Sequence, residues 1–119
     1  MVITQGDIVW ASLNDSTGSE PGFRRPVVVV QGDAFNTSRL RTIVVVPLTS
    51  NLRWGAAPGN VALVSNDTGL PKDSVANVSQ IVSVDRSILS DRVGHLTDSD
   101  LELILAGIDI VLGREHVGY

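Results

Sequence analysis

Apolar residues along this chain fall into short dense blocks separated by polar turns, and only the last block has helical spacing. Residues 7–13 (DIVWASL) alternate well enough for a first strand, with Ile8, Trp10 and Leu13 as candidates for one face. Residues 14–23 (NDSTGSEPGF) gather Asn, Asp, Ser, Gly and Pro and predict a loop, longer than a plain hairpin needs. Pro26 fixes its own backbone and biases Arg25 toward an extended conformation. Val27, Val28, Val29 and Val30 are β-branched and apolar on both faces, the pattern of a central strand.

Residues 33–41 are polar, with a turn of helix expected near Phe35 and Asn36. Residues 42–48 (TIVVVPL) form a second continuous apolar strand, in which Pro47 marks a bulge or an edge. A second long polar loop follows at 49–60, then a short strand at 61–64 and a turn at 66–69. Residues 74–84 supply one bent strand or two short ones, and 92–96 a last short strand. From Thr97 the spacing changes. That residue can cap a helix, and Asp98 and Asp100 favour its first turn. Leu101, Ile104, Leu105, Ile108, Val111 and Leu112 share one helical face, and Gly113 is a reasonable stop. Leu103 and Ile110 lie off that stripe and point to a second apolar contact such as a partner subunit. The expected architecture is mainly β (α+β): a small, partly open β-barrel with a C-terminal α-helix, in one domain over residues 1–119.

Composition narrows the function classes. With 43% hydrophobic and 18% charged residues the chain is a compact globular one rather than a disordered one. It has no cysteine for disulfides or thiolate metal sites, no apolar run of membrane-spanning length and no secretory layout at its start, so a cytoplasmic, non-membrane protein is expected. The net charge of −4 disfavours a polyanionic partner, but the charges are unevenly placed. Arg24, Arg25, Arg39, Arg41 and Arg53 face a single acid, Asp33, between residues 23 and 53, whereas the later part of the chain is acidic. A local basic surface on an acidic body is therefore compatible with the composition.

Most reaction classes lose support. His95 and His116 stand apart, without the spacing of a metal site, and are expected to be structural or solvated. There is no phosphate loop, no nucleophile elbow and no dinucleotide fingerprint. Asp7 and Asp33, both beside turns, fit caps better than a catalytic dyad. What remains is arginine, threonine and neutral amide groups. Arg25 is mounted at the mouth of a rigid strand, where its guanidinium can fork two phosphate oxygens. Thr49 emerges near it if the two apolar strands pair, and Asn36, Ser50, Asn51 and Gln80 suit base edges or sugar hydroxyls. Taken alone, the residues weigh equally for a phosphate grip and for solubilising charges beside a buried strand.

The order GDIVWASL, GSEPGFRRPVVVV, TIVVVPLTSN and DSVANVSQIVSVDR, closed by a helix, resembles the MazF/PemK family of toxin endoribonucleases over nearly the whole chain. The resemblance implies an SH3-like barrel, a homodimer, and metal-independent, cofactor-free cleavage of single-stranded RNA, often messenger RNA, at short motifs. It implies as partner an antitoxin whose extended segment fills the RNA groove, as in type II toxin–antitoxin systems. It also makes Arg25 and Thr49 the catalytic pair, with Glu20, Asn36, Ser50, Asn51 and Gln80 around the substrate and Arg24 as an electrostatic helper. Many relatives carry an acid before that glutamine, where this chain has Ser79. The RNA 2′-hydroxyl can attack the adjacent phosphorus, so the expected products are a 2′,3′-cyclic phosphate and a 5′-hydroxyl end. Glu20 is the candidate proton acceptor. The alternative class is a binding toxin resembling the CcdB family, which poisons DNA gyrase through its terminal helix and tail. An inert SH3-like adaptor would need more groove aromatics than Trp10, Phe23, Phe35, Trp54 and Tyr119 provide.

Overall fold

The computed structural model describes residues 1–13 and 24–114. Its strands are β1 (Asp7–Ser12), β2 (Arg24–Val29), β3 (Thr42–Thr49), β4 (Val61–Leu63), β5 (Ser74–Ala76), β6 (Val82–Asp85) and β7 (Leu89–His95). Three α-helical elements, α1 (Asp33–Asn36), α2 (Ser65–Thr68) and α3 (Asp98–Val111), punctuate them. All pairings are antiparallel, in the order β4-β5-β3-β2-β1-β7, with β6 also paired to β3. The sheet is a curled half-barrel closed by α3, the mainly β, SH3-like arrangement expected.

The double-sided apolar run of β2 becomes intelligible in this curl. Val28 packs in one core with Ile8, Val46, Leu48, Leu63, Ile104 and Ile108, between the sheet and α3. Val27 and Val29 pack in a second core with Val9, Ile43, Val45 and Val84. Alternate side chains of one strand thus enter two cores, and each fully buried valine contributes on the order of 1.5–3 kcal/mol. The same alternation corrects one assignment in β1: Leu13 packs with Val9 and Ala11, not with Ile8 and Trp10. Register shifts on either side of Val9 in the β1–β7 pair mark bulges, which sharpen the local twist and help the sheet curl.

Pro47 is neither at a strand end nor on an edge. It pairs with Val27, and it falls where β3 changes its other neighbour from β6, which ends opposite Val45, to β5, which begins opposite Leu48. At that gap a missing N–H costs no ladder bond, while the Pro47 carbonyl still accepts from Asn77 N–H at 3.0 Å. Residues 74–84 resolve into two strands, β5 and β6, separated by a 3₁₀ turn at Val78–Gln80. The expected strand at 92–96 is longer and begins at Leu89.

Helix α3 starts as anticipated: Thr97 Oγ1 accepts from Asp100 N–H at 3.2 Å. Ile104 and Ile108 are buried, Leu101 and Leu105 partly so, but Val111 and Leu112 are exposed, so the buried stripe ends a turn earlier than expected. The off-stripe Leu103 and Ile110 are exposed as well. Gly107 lets the helix touch loop backbone: a Cβ there would collide with the Gly59 carbonyl. That contact docks α3 against the loop that leaves β3.

Candidate nucleic-acid groove

At the end of the barrel where β2 begins and β3 ends, an open groove of about 260 Å³ is lined by Trp10, Arg24, Arg25, Thr49, Ser50 and Lys72, among others. The volume lies just below the range of about 300–1,000 Å³ usual for small-molecule pockets. One wall is strand. Val27 pairs with Pro47, Val28 with Val46 and Val29 with Val45, and continuing that register by two residues sets Arg25 opposite Thr49. The two groups singled out from the sequence therefore face one groove, positioned by backbone ladders on strands that are otherwise buried.

Thr49 is held by its own turn. Its Oγ1 accepts from Asn51 N–H at 3.1 Å, which uses one lone pair and leaves the hydroxyl proton to donate to a ligand. Asn51 in turn accepts from Arg53 N–H at 3.2 Å and caps a 3₁₀ turn at Leu52–Ala56. Its side-chain oxygen is thus engaged locally while Ser50, exposed, lines the groove. Arg25 is half-buried and paired in register with Ala11 of β1.

Arg24 is fastened across the strands. Its guanidinium lies 4.9 Å from the Trp10 ring centroid and donates at 3.3 Å to both Ser90 Oγ and Asp91 Oδ2. It sits on the groove as a partly neutralised rim charge. Arg41 is likewise paired, with Asp85 at 3.3 Å, so the arginine-rich middle of the chain is less basic than its count implies.

Asn36 requires a correction. It is buried at 5% exposure, with Oδ1 accepting from Gln31 Nε2 at 3.0 Å and Nδ2 donating to the Gln31 carbonyl at 2.8 Å and Asp33 Oδ1 at 3.1 Å. Arg86 donates to its carbonyl at 2.6 Å. The side chain ties α1 to the barrel and does not line the groove, so its assigned substrate contact does not hold in this structure. Gln80 is exposed on the 3₁₀ turn at Val78–Gln80 and also lies outside the lining. Glu20 lies outside the described residues.

The two aspartates beside turns are spent on structure. Asp7, buried, accepts from Thr4 N–H at 2.9 Å and contacts His95 Nδ1 at 2.9 Å, which gives that histidine a structural role. Asp33 accepts from Gln5 N–H at 2.7 Å, and this bond, with the Asn36 amide, holds its carboxyl below the ordinary range. His116 is outside the described residues.

Trp10, Ser74 and Lys72 are among the lining residues that the sequence did not single out for the site. Trp10, expected on one face of β1 with Ile8, borders the groove, in register opposite Pro26. Ser74 is buried yet borders the groove, and Lys72, the one lysine in the chain, sits in a turn without a motif. Its singularity was the available signal.

Comparisons with known proteins agree with this geometry. A family model described as "PemK-like, MazF-like toxin of type II toxin-antitoxin system" matches residues 4–112. Endoribonuclease MazF2 of Mycobacterium bovis is 45% identical over 112 residues, covering 94% of this chain and 98% of its own. A crystal structure of MazE–MazF from Deinococcus radiodurans superposes with a TM-score of 0.80 at 24% identity, covering 97% of this chain and 99% of that one. A mycobacterial endoribonuclease in complex with its cognate antitoxin gives a TM-score of 0.74 at 22% identity, covering 97% of each chain. With a strand-mounted arginine and threonine on one groove and relatives matched end to end, the chain belongs to the PemK/MazF family of type II toxin endoribonucleases.

Proposed function

We propose that the groove binds single-stranded RNA and cleaves it without a metal ion, leaving 2′,3′-cyclic phosphate and 5′-hydroxyl ends. The observation that carries this reading is that Arg25 and Thr49, on the neighbouring strands β2 and β3, line one groove. The described lining offers cations and hydroxyls and no carboxylate, imidazole or thiol, a set suited to a phosphoryl anion. In the reaction, the 2′-oxygen forms a bond to phosphorus and the bond to the 5′-oxygen breaks. The 2′-hydroxyl proton passes to a base, and the leaving 5′-oxygen takes a proton from solvent. Arg25 forks the equatorial oxygens of the phosphorane, and Thr49 donates its hydroxyl proton in a hydrogen bond to one of them. Arginine stays protonated and is a poor base. Glu20 remains the proposed proton acceptor, Ser50 and Asn51 flank the reacting nucleotide, and Gln80 contacts RNA beyond the described groove.

The same groove is the proposed seat of an extended antitoxin segment in the cytoplasm, a reading supported by the antitoxin-bound relative. A homodimer is proposed from the exposed Leu103 and Ile110 on α3, at 55% and 39% exposure. A monomeric mass at micromolar concentration would count against it. For the reaction, purified protein is incubated with mixed RNA in excess EDTA and the new 5′ ends are sequenced. Discrete fragments bearing 5′-hydroxyls are expected; intact RNA, or equal cleavage by Arg25→Ala, rejects the reading. Toxicity that survives Arg25→Ala but is lost on deleting residues 114–119 would instead favour a CcdB-like binding toxin, for which no feature of the groove speaks.

A further inference from the structure

The groove's second wall is loop, and the loop is pinned on both sides of one residue. Leu70 is buried and its N–H donates to Thr68 Oγ1 at 3.1 Å. Asp73 Oδ1 accepts from Ser65 N–H at 2.8 Å, which commits the neighbouring carboxylate to the start of α2. The Ser74 hydroxyl, buried, donates to the Lys72 carbonyl at 3.3 Å. Between these anchors Lys72 is exposed, lines the groove across from Arg25, and makes no ion pair with any described residue. Arg24, by contrast, already meets Asp91.

Resting on the reading that the groove takes RNA, we propose that Lys72 grips a non-scissile backbone phosphate from the wall opposite Arg25. It thereby fixes where along the strand the scissile phosphate comes to rest. The division of labour follows from the side chains. A planar guanidinium matches the forked geometry of a reacting phosphoryl group, whereas a compact ammonium on a flexible stem suits a point contact to a neighbouring phosphate. Such a contact carries position rather than sequence information.

The test measures binding and turnover separately. Binding is read by fluorescence anisotropy with an RNA oligonucleotide carrying a single 2′-deoxy substitution at the cleavage position, so that it cannot react. Turnover is read with the all-ribose strand. Lys72→Ala is expected to weaken binding and raise KM about tenfold with kcat within about twofold. It should also reduce the slope of log affinity against log salt by about 0.7, the value for one phosphate contact on a single strand. Lys72→Arg should restore most of both, Lys72→Glu should be worse than alanine, and melting curves should coincide. Wild-type affinity and slope in Lys72→Ala, or a loss confined to kcat, overturns the proposal while leaving the groove reading intact. Failure of the wild-type protein to bind the unreactive strand overturns both.

Discussion

The two walls of the groove are made by different means. On one side Arg25 and Thr49 are carried by β2 and β3, whose central residues are fully buried and joined by a continuous ladder. On the other, residues 70–74 and the loop behind them hang on strands three residues long and on side-chain bonds from Thr68 and Asp73 within the segment and from Asn60 to Val78. The first wall can hold reacting groups to small tolerances because moving them means moving a core strand. The second can change shape or sequence by exchanging a few polar side chains, which makes it the wall to vary if the groove takes RNA as proposed.

The contrast is sharpest in its predicted extremes. Arg25→Ala should lower kcat/KM by roughly 10²–10³, the usual loss for a transition-state donor, with at most a small fall in melting temperature because the strand ladder stays intact. A large drop in melting temperature would show that the strand wall depends on its functional residue. Gly107→Ala attacks the other wall from behind, because its new methyl meets the Gly59 carbonyl. We expect a destabilisation of about 1–3 kcal/mol in urea unfolding, with activity impaired in the folded fraction. If activity per folded molecule is unaffected, the loop and helix are not coupled to the groove.

Asn60→Ala isolates the side-chain bonds of that loop. Its amide donates to the Trp54 carbonyl at 2.9 Å and its oxygen accepts from Val78 N–H at 2.9 Å, so about 1–2 kcal/mol should be lost. The smallest effect belongs to acid. Asp33 is held below its ordinary value chiefly by Gln5 N–H, and Asp85 chiefly by Ser87 N–H. Depressed carboxyls contribute stability that is complete above their unfolded value near 3.8 and fades as pH falls through the lower folded value. The melting temperature should therefore fall below about pH 4, and by less in Asp33→Asn and Asp85→Asn, while both groove walls respond alike.

The same division governs what the sequence reveals. The strand wall was legible because four successive valines and a Thr-Ile-Val-Val-Val run have one physical explanation, a strand buried on both faces. Helix α3 was legible through its cap and spacing, except at Val111 and Leu112, whose exposure depends on where the barrel beneath them ends. The loop wall was not. Lys72 is held in place by bonds at Leu70, Asp73 and Ser74 within its own loop, a segment that carries no motif. Asn36 looked like a free amide because nothing local announces that Gln31 and Arg86 will enclose it. The start of β7 was hidden for a related reason: Ser90 and Asp91 are exposed strand residues, and polarity alone reads as loop.

Pro47 has a consequence for how such a protein can diverge. The strand carrying Thr49 answers to one neighbour before the proline and to another after it. Substitutions in β6 and its surroundings are thus buffered from the threonine, and those around β5 from the deep barrel. The seam lets one lineage retune the mouth of the molecule while inheriting its body unchanged.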